Sequence, residues 1–113
     1  MYNFAFFKVD ADTTLKQDFV ERYRSVGEQK FYRNLLCYAI NKLIKIRDDE
    51  YTGTSPEIEF ISYSERFLFL YRRESDPVNL ELSRVFRKAA NKIYRMMLKK
   101  EMTQRNPKFL NVV

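Results

Sequence analysis

A chain of 113 residues that is 45% hydrophobic and 16% aromatic, with two glycines and three prolines, fits one domain able to bury roughly two thirds of its unfolded surface and argues against disorder or a linker-rich architecture over most of its length. It has no histidine and one cysteine, which removes the commonest general base near neutral pH, the commonest zinc ligand, any internal disulfide and any thiolate cluster. The formal net charge of +6 is uneven, since residues 57–113 carry twelve bases against seven acids and residues 1–56 nine against eight.

The first nine residues, MYNFAFFKV, set Tyr2, Phe4 and Phe6 on one side and Asn3, Ala5, Phe7 and Val9 on the other, which predicts a strand rich in strand-favouring aromatics. Asp10 to Thr14 then supply cap candidates, and Leu15, Phe19, Tyr23 and Val26 recur at helical spacing up to Gly27, a residue suited to ending a helix. From Glu28 to Asp49 a longer helix gathers Tyr32, Leu35, Leu36, Ala39, Leu43 and Ile46 on one face, with Lys30, Asn34, Asn41, Lys45 and Asp48 opposite. After the turn-forming DDEYTGTSP, the runs EIEFISY and RFLFLYRR predict a hairpin turning at Ser64 and Glu65. Asp76 as N-cap and Pro77 at the first helical position open a last helix to about Thr103, and Asn106 and Pro107 leave KFLNVV as an edge strand or a tail.

The order β-α-α-β-β-α(-β) predicts a single α+β domain over residues 1–113, a small two- or three-layer sandwich on a mostly antiparallel sheet of three or four strands. A ferredoxin-like plan is one form of it and an open three-stranded sheet its competitor. No apolar run approaches the roughly 18 residues of a membrane span, and the N-terminus lacks the pattern of a secretory signal. The expected location is cytoplasmic or otherwise intracellular, not secreted.

Two glycines cannot build a P-loop or a dinucleotide fingerprint, and no cofactor is expected. Asp10 and Asp12, with Glu57 or Glu59, are a conceivable oxygen-ligand set for a divalent ion and Asp48, Asp49 and Glu50 a second carboxylate cluster, although acids at a helix start more commonly cap amides and complement the dipole and those at a helix end are more commonly solvated. Cys37 has no neighbour pattern that would activate a thiolate.

Two surfaces stand out. In the last helix Val78, Leu82, Val85, Phe86, Ala89, Ile93, Met96 and Met97 share the core side, and Arg84, Lys88, Asn91, Arg95 and Lys99 lie opposite, flanked by Arg87 and Lys92. Lysines near a helix C-terminus offset its dipole, but Arg84, Arg87 and Lys88 lie too far from that end for this to apply, which leaves a plain solvated face as the first reading of the stripe and a surface for an acidic protein, nucleic acid or anionic membrane as the others. In the expected sheet, Tyr2, Phe4, Phe6, Phe67, Phe69 and Tyr71 would share an aromatic face able to form a core, a dimer interface or a base-stacking platform. The sequence therefore points to a small non-catalytic interaction module that binds a protein partner or itself through the aromatic face, the basic stripe or both. Nucleic-acid binding through the stripe is the second reading and a metal-dependent phosphodiesterase the third. An anionic membrane surface fits least, because the helix's apolar face is needed for the core.

Overall fold

The computed structural model describes the backbone of residues 9–48 and 53–105 and the side chains of residues 17–48 and 53–99. It contains four helices, α1 (Val9–Val26), α2 (Glu28–Arg47), α3 (Pro56–Glu74) and α4 (Pro77–Arg105), and no strand among the described residues. The fold is all-α, which corrects the α+β sandwich expected from the sequence. Residues 1–8 and 106–113, which hold most of the first expected strand and the whole of the last, lie outside the described residues. Val9 already belongs to α1, so Asp10 to Thr14 fall inside the helix and not before it.

The expected hairpin is a single helix. EIEFISY and RFLFLYRR both lie in α3, which starts as helices commonly start, with Ser55 at the N-cap, Pro56 in the first turn and Glu57 and Glu59 near the positive end of the dipole. No glycine or proline interrupts the chain from Glu57 to Glu74, so nothing turns it at Ser64. The buried side chains Phe60, Tyr63, Ser64 and Phe67 follow the helical spacing of three and four. A strand would have put Phe67, Phe69 and Tyr71 on one side; instead Phe67 is 3% exposed, Phe69 is 56% exposed and Tyr71 is half-buried.

Ser64, expected in a turn, ties α3 to α4. Its hydroxyl donates to the Ser83 carbonyl at 2.8 Å, the Ser83 hydroxyl donates to the Ser64 carbonyl at 2.8 Å, and the two hydroxyl oxygens lie 3.1 Å apart. Small side chains let the helix backbones approach, and the reciprocal bonds satisfy both buried hydroxyls. A two-residue link joins the helices: Ser75 ends α3 in the left-handed region (φ 58, ψ 23) with its N–H donating to the Tyr71 carbonyl at 2.7 Å. Asp76 then caps α4, its Oδ1 accepting from the Val78 amide at 3.1 Å.

Between α1 and α2 the link is Gly27 alone, at φ 86 and ψ 164. Its N–H closes α1 on the Tyr23 carbonyl at 2.9 Å, and its carbonyl accepts the Phe31 amide at 3.0 Å to open α2. One residue can serve both helices only in a conformation that other residues rarely hold.

The core is built around Phe86 of α4. Its ring centroid lies 5.2–5.8 Å from rings of all three other helices: α1 contributes Phe19 at 5.2 Å, α2 Phe31 at 5.8 Å, and α3 Phe60, Tyr63 and Phe67 at 5.8, 5.3 and 5.8 Å. Such ring pairs add about 0.5–1.5 kcal/mol each beyond the area they bury. At the junction of α2 and α3, Lys42 is buried and pairs with the buried Glu59, whose carboxylate also accepts from the Tyr38 hydroxyl at 3.2 Å. The expected core face of α2 holds Leu35 and Ala39 as buried residues, but Phe31 and Lys42 belong to it as well.

Candidate functional site

The outer face of α4 is the surface that the sequence and the structure define together. Val85, Phe86, Ala89, Ala90 and Ile93 fix the helix against the core, and this rotation places Arg84, Arg87, Lys88, Asn91, Lys92, Arg95 and Lys99 all in the exposed class. From Arg84 to Lys99 the row spans about 22 Å at the helical rise, and the sequence contains no acid between those two residues. Lys88 is positioned by α2, its Nζ sitting 4.6 Å above the Tyr32 ring, so the basic row continues onto the α2 side of the bundle. Cation–π contact holds the ammonium group in place while leaving it open to solvent.

Charge is segregated by helix. α2 carries five bases and one acid and α4 eight bases and two acids, whereas α1 and α3 each carry three bases and four acids. On α2, Lys30, Arg33, Lys45 and Arg47 are exposed. Lys30 and Lys45 lie on the polar side expected of α2, whereas Arg33 and Arg47 escape a reading confined to that face, and counting charges helix by helix would have found them. Met96, expected on the core side of α4, is 39% exposed, and Tyr94 and Leu98 are 55% and 41% exposed beside the basic row.

Of the six aromatics expected on a sheet face, the three that are described are not gathered into one surface. Tyr2, Phe4 and Phe6 lie outside the described residues. Phe67 packs in the core, Tyr71 is half-buried, and Phe69 stands outward with the Arg73 guanidinium 5.7 Å from its ring. An aromatic platform needs strand alternation, and α3 distributes these side chains around a helix instead.

Asp10 and Asp12 belong to the first turn of α1, and their side chains are not among the described ones. Glu57 accepts a hydrogen bond from the Ser55 hydroxyl, and Glu59 is taken up by Lys42 and Tyr38. Glu57 thus serves the start of α3 and Glu59 the α2–α3 junction, and among the described residues no three acid or thiol groups gather to hold a metal ion. Cys37 is exposed on α2. At Tyr23, burial, and then the negative charges of Glu81 and Glu28, push the hydroxyl above its ordinary value of 10.0. The tyrosine is therefore neutral across physiological pH. Among the described residues no helix is long and apolar enough to cross a membrane.

No protein-family model matches the chain, and neither the curated proteins nor the solved structures include a significant match to it.

Proposed function

We propose that this protein is a small intracellular helical interaction module that holds an acidic protein partner through the exposed basic face of α4, supported by the basic α2. The observation that carries this reading is the alignment of Arg84, Arg87, Lys88, Lys92, Arg95 and Lys99 on one solvent-facing surface without an interspersed acid, on a protein whose α1 and α3 mix both signs. Six like charges on one helix face repel one another and forgo the i,i+4 acid–base pairs that commonly stabilise exposed helices. An acidic partner relieves that repulsion and is steered to the face by its field. A second copy of the chain meeting the same face would bring bases against bases, so self-association through α4 is disfavoured.

Exposed Tyr94 and Leu98 adjoin the row and favour a protein over a nucleic acid, since protein interfaces combine aromatic and aliphatic contact with charge complementarity. The deciding experiment is fluorescence anisotropy with a Glu-rich peptide and with single- and double-stranded oligonucleotides at several salt concentrations. The peptide should bind with an affinity that falls as salt rises, and Arg84→Glu/Lys88→Glu/Arg95→Glu should weaken it at least about tenfold without lowering helix content. Tighter binding of either oligonucleotide, or full affinity in the triple variant, would overturn the reading.

A further inference from the structure

On α2, Tyr32, Leu36, Ile40 and Ile44 follow one another at steps of four, and their exposure grows along the row. Tyr32 and Leu36 are half-buried against the core, whereas Ile40 and Ile44 are 40% and 41% exposed. Rows at i,i+4 drift about 40° per step around a helix, so this one leaves the core and emerges onto the surface over about 18 Å of helix. It begins at the place where Tyr32 supports Lys88, and Lys92 continues the edge of α4 one helical turn further on. Arg33 and Arg47 fall in the same sector of α2 as Ile40 and are exposed. The result is an apolar track with Lys88 and Lys92 along its α4 flank, Arg33 beside its start and Arg47, ion-paired with Asp48 at 3.1 Å, beyond Ile44 at its end.

We infer that this track is the docking line for an amphipathic acidic helix of the partner, which lays an apolar row on Leu36, Ile40 and Ile44, sets its flanking carboxylates against Lys88 and Lys92 on the α4 side and meets Arg33 with an acid near the start of the track. The inference rests on the proposed function and specifies the partner's form. Charge complementarity selects the occupant: an apolar helix with basic or neutral flanks, or a second copy of this chain, would cover the isoleucines but leave the surrounding bases facing like charge or nothing. A flexible acidic tail would answer the charge but leave the track open to water. A helix carrying apolar residues at steps of three and four, with acids beside them, matches both features, as in other helix-in-groove recognition.

The experiment is a titration of the full chain with two synthetic peptides of identical composition, rich in Glu and Leu. One has its leucines on a single helical face and the other has them scattered; the plain Glu-rich peptide serves as the third probe. The amphipathic peptide should bind at least about tenfold more tightly than the scattered one and gain helicity on binding. Ile40→Ser/Ile44→Ser should erase that difference while leaving the affinity for the Glu-rich peptide unchanged; both side chains are partly exposed, so the fold should persist by circular dichroism. Equal affinity for the amphipathic and scattered peptides, or an amphipathic advantage that survives in the double variant, would overturn the docking line but not the wider reading. Absence of binding by all three peptides would overturn the proposed function and this inference with it. Light scattering that shows a dimer of the wild-type chain, returned to monomer by Ile40→Ser/Ile44→Ser, would assign the track to a second copy and overturn the inference alone.

Discussion

Asn79 lies wholly buried in the first turn of α4, and among the described residues neither its amide nitrogen nor its amide oxygen has a hydrogen-bond partner. A buried amide without partners loses its hydration and gains nothing in return, so Asn79→Leu should raise the unfolding free energy by about 1–2 kcal/mol; a shift of the urea midpoint reads the change. The opposite sign is expected where a buried polar group has found its counterpart. Glu59→Gln would leave the Lys42 ammonium buried beside a neutral amide and should destabilise the protein by about 3 kcal/mol, whereas Lys42→Met together with Glu59→Leu should restore most of that loss. Tyr23 gives a third expectation, from linkage. Its folded pKa is raised, first by burial and then by Glu81 and Glu28, so the folded chain keeps the phenolic proton to higher pH than the unfolded chain. The associated stability is fully present below about pH 10, the ordinary value for a phenol, and is lost as pH rises through the folded pKa. In Tyr23→Phe the alkaline fall in melting temperature should be shallower.

Helix boundaries depend on individual residues in a way the sequence partly displays. Gly27, with φ 86 and open space where a Cβ would stand, joins α1 to α2 in a backbone conformation that costs other residues about 1–3 kcal/mol, and Gly27→Ala should lower stability by that amount through backbone strain alone. Ser75 holds a left-handed conformation without being glycine, so Ser75→Gly should add up to about 1 kcal/mol. Asp76 and Pro77 were legible as the start of α4, and Gly27 as the end of α1. The same cap-and-proline signal at Ser55 and Pro56 marks α3, but a run such as RFLFLYRR is apolar at nearly every position and satisfies alternation as readily as helical spacing. Ser64 resembled a turn residue because its role, a reciprocal hydrogen bond with Ser83 nineteen residues away, exists only once two helices are packed. For the candidate site the basic row of α4 was readable, since the apolar residues that rotate it outward lie in the same helix. The track on α2 was not, because Ile40 and Ile44 become an edge only when α3 and α4 have taken the other side of that helix.

Across the whole molecule the uneven charge is the property from which the functional reading follows. The thirteen bases of α2 and α4 face only three acids within those helices, so the folded protein concentrates like charge that the unfolded chain would disperse. Salt at the level that screens exposed charges should therefore raise the melting temperature, and Arg84→Glu/Lys88→Glu/Arg95→Glu should reduce that salt dependence. The central claim, that α2 and α4 form the face that receives an acidic partner, is tested most directly by recording backbone amide chemical shifts while the amphipathic acidic peptide is added. The account predicts that the perturbed amides cluster in α4 between Arg84 and Lys99 and in α2 between Tyr32 and Ile44, with α1 and the outward side of α3 unchanged. Perturbations centred on α1 or on Phe69 and its neighbours in α3 would contradict it.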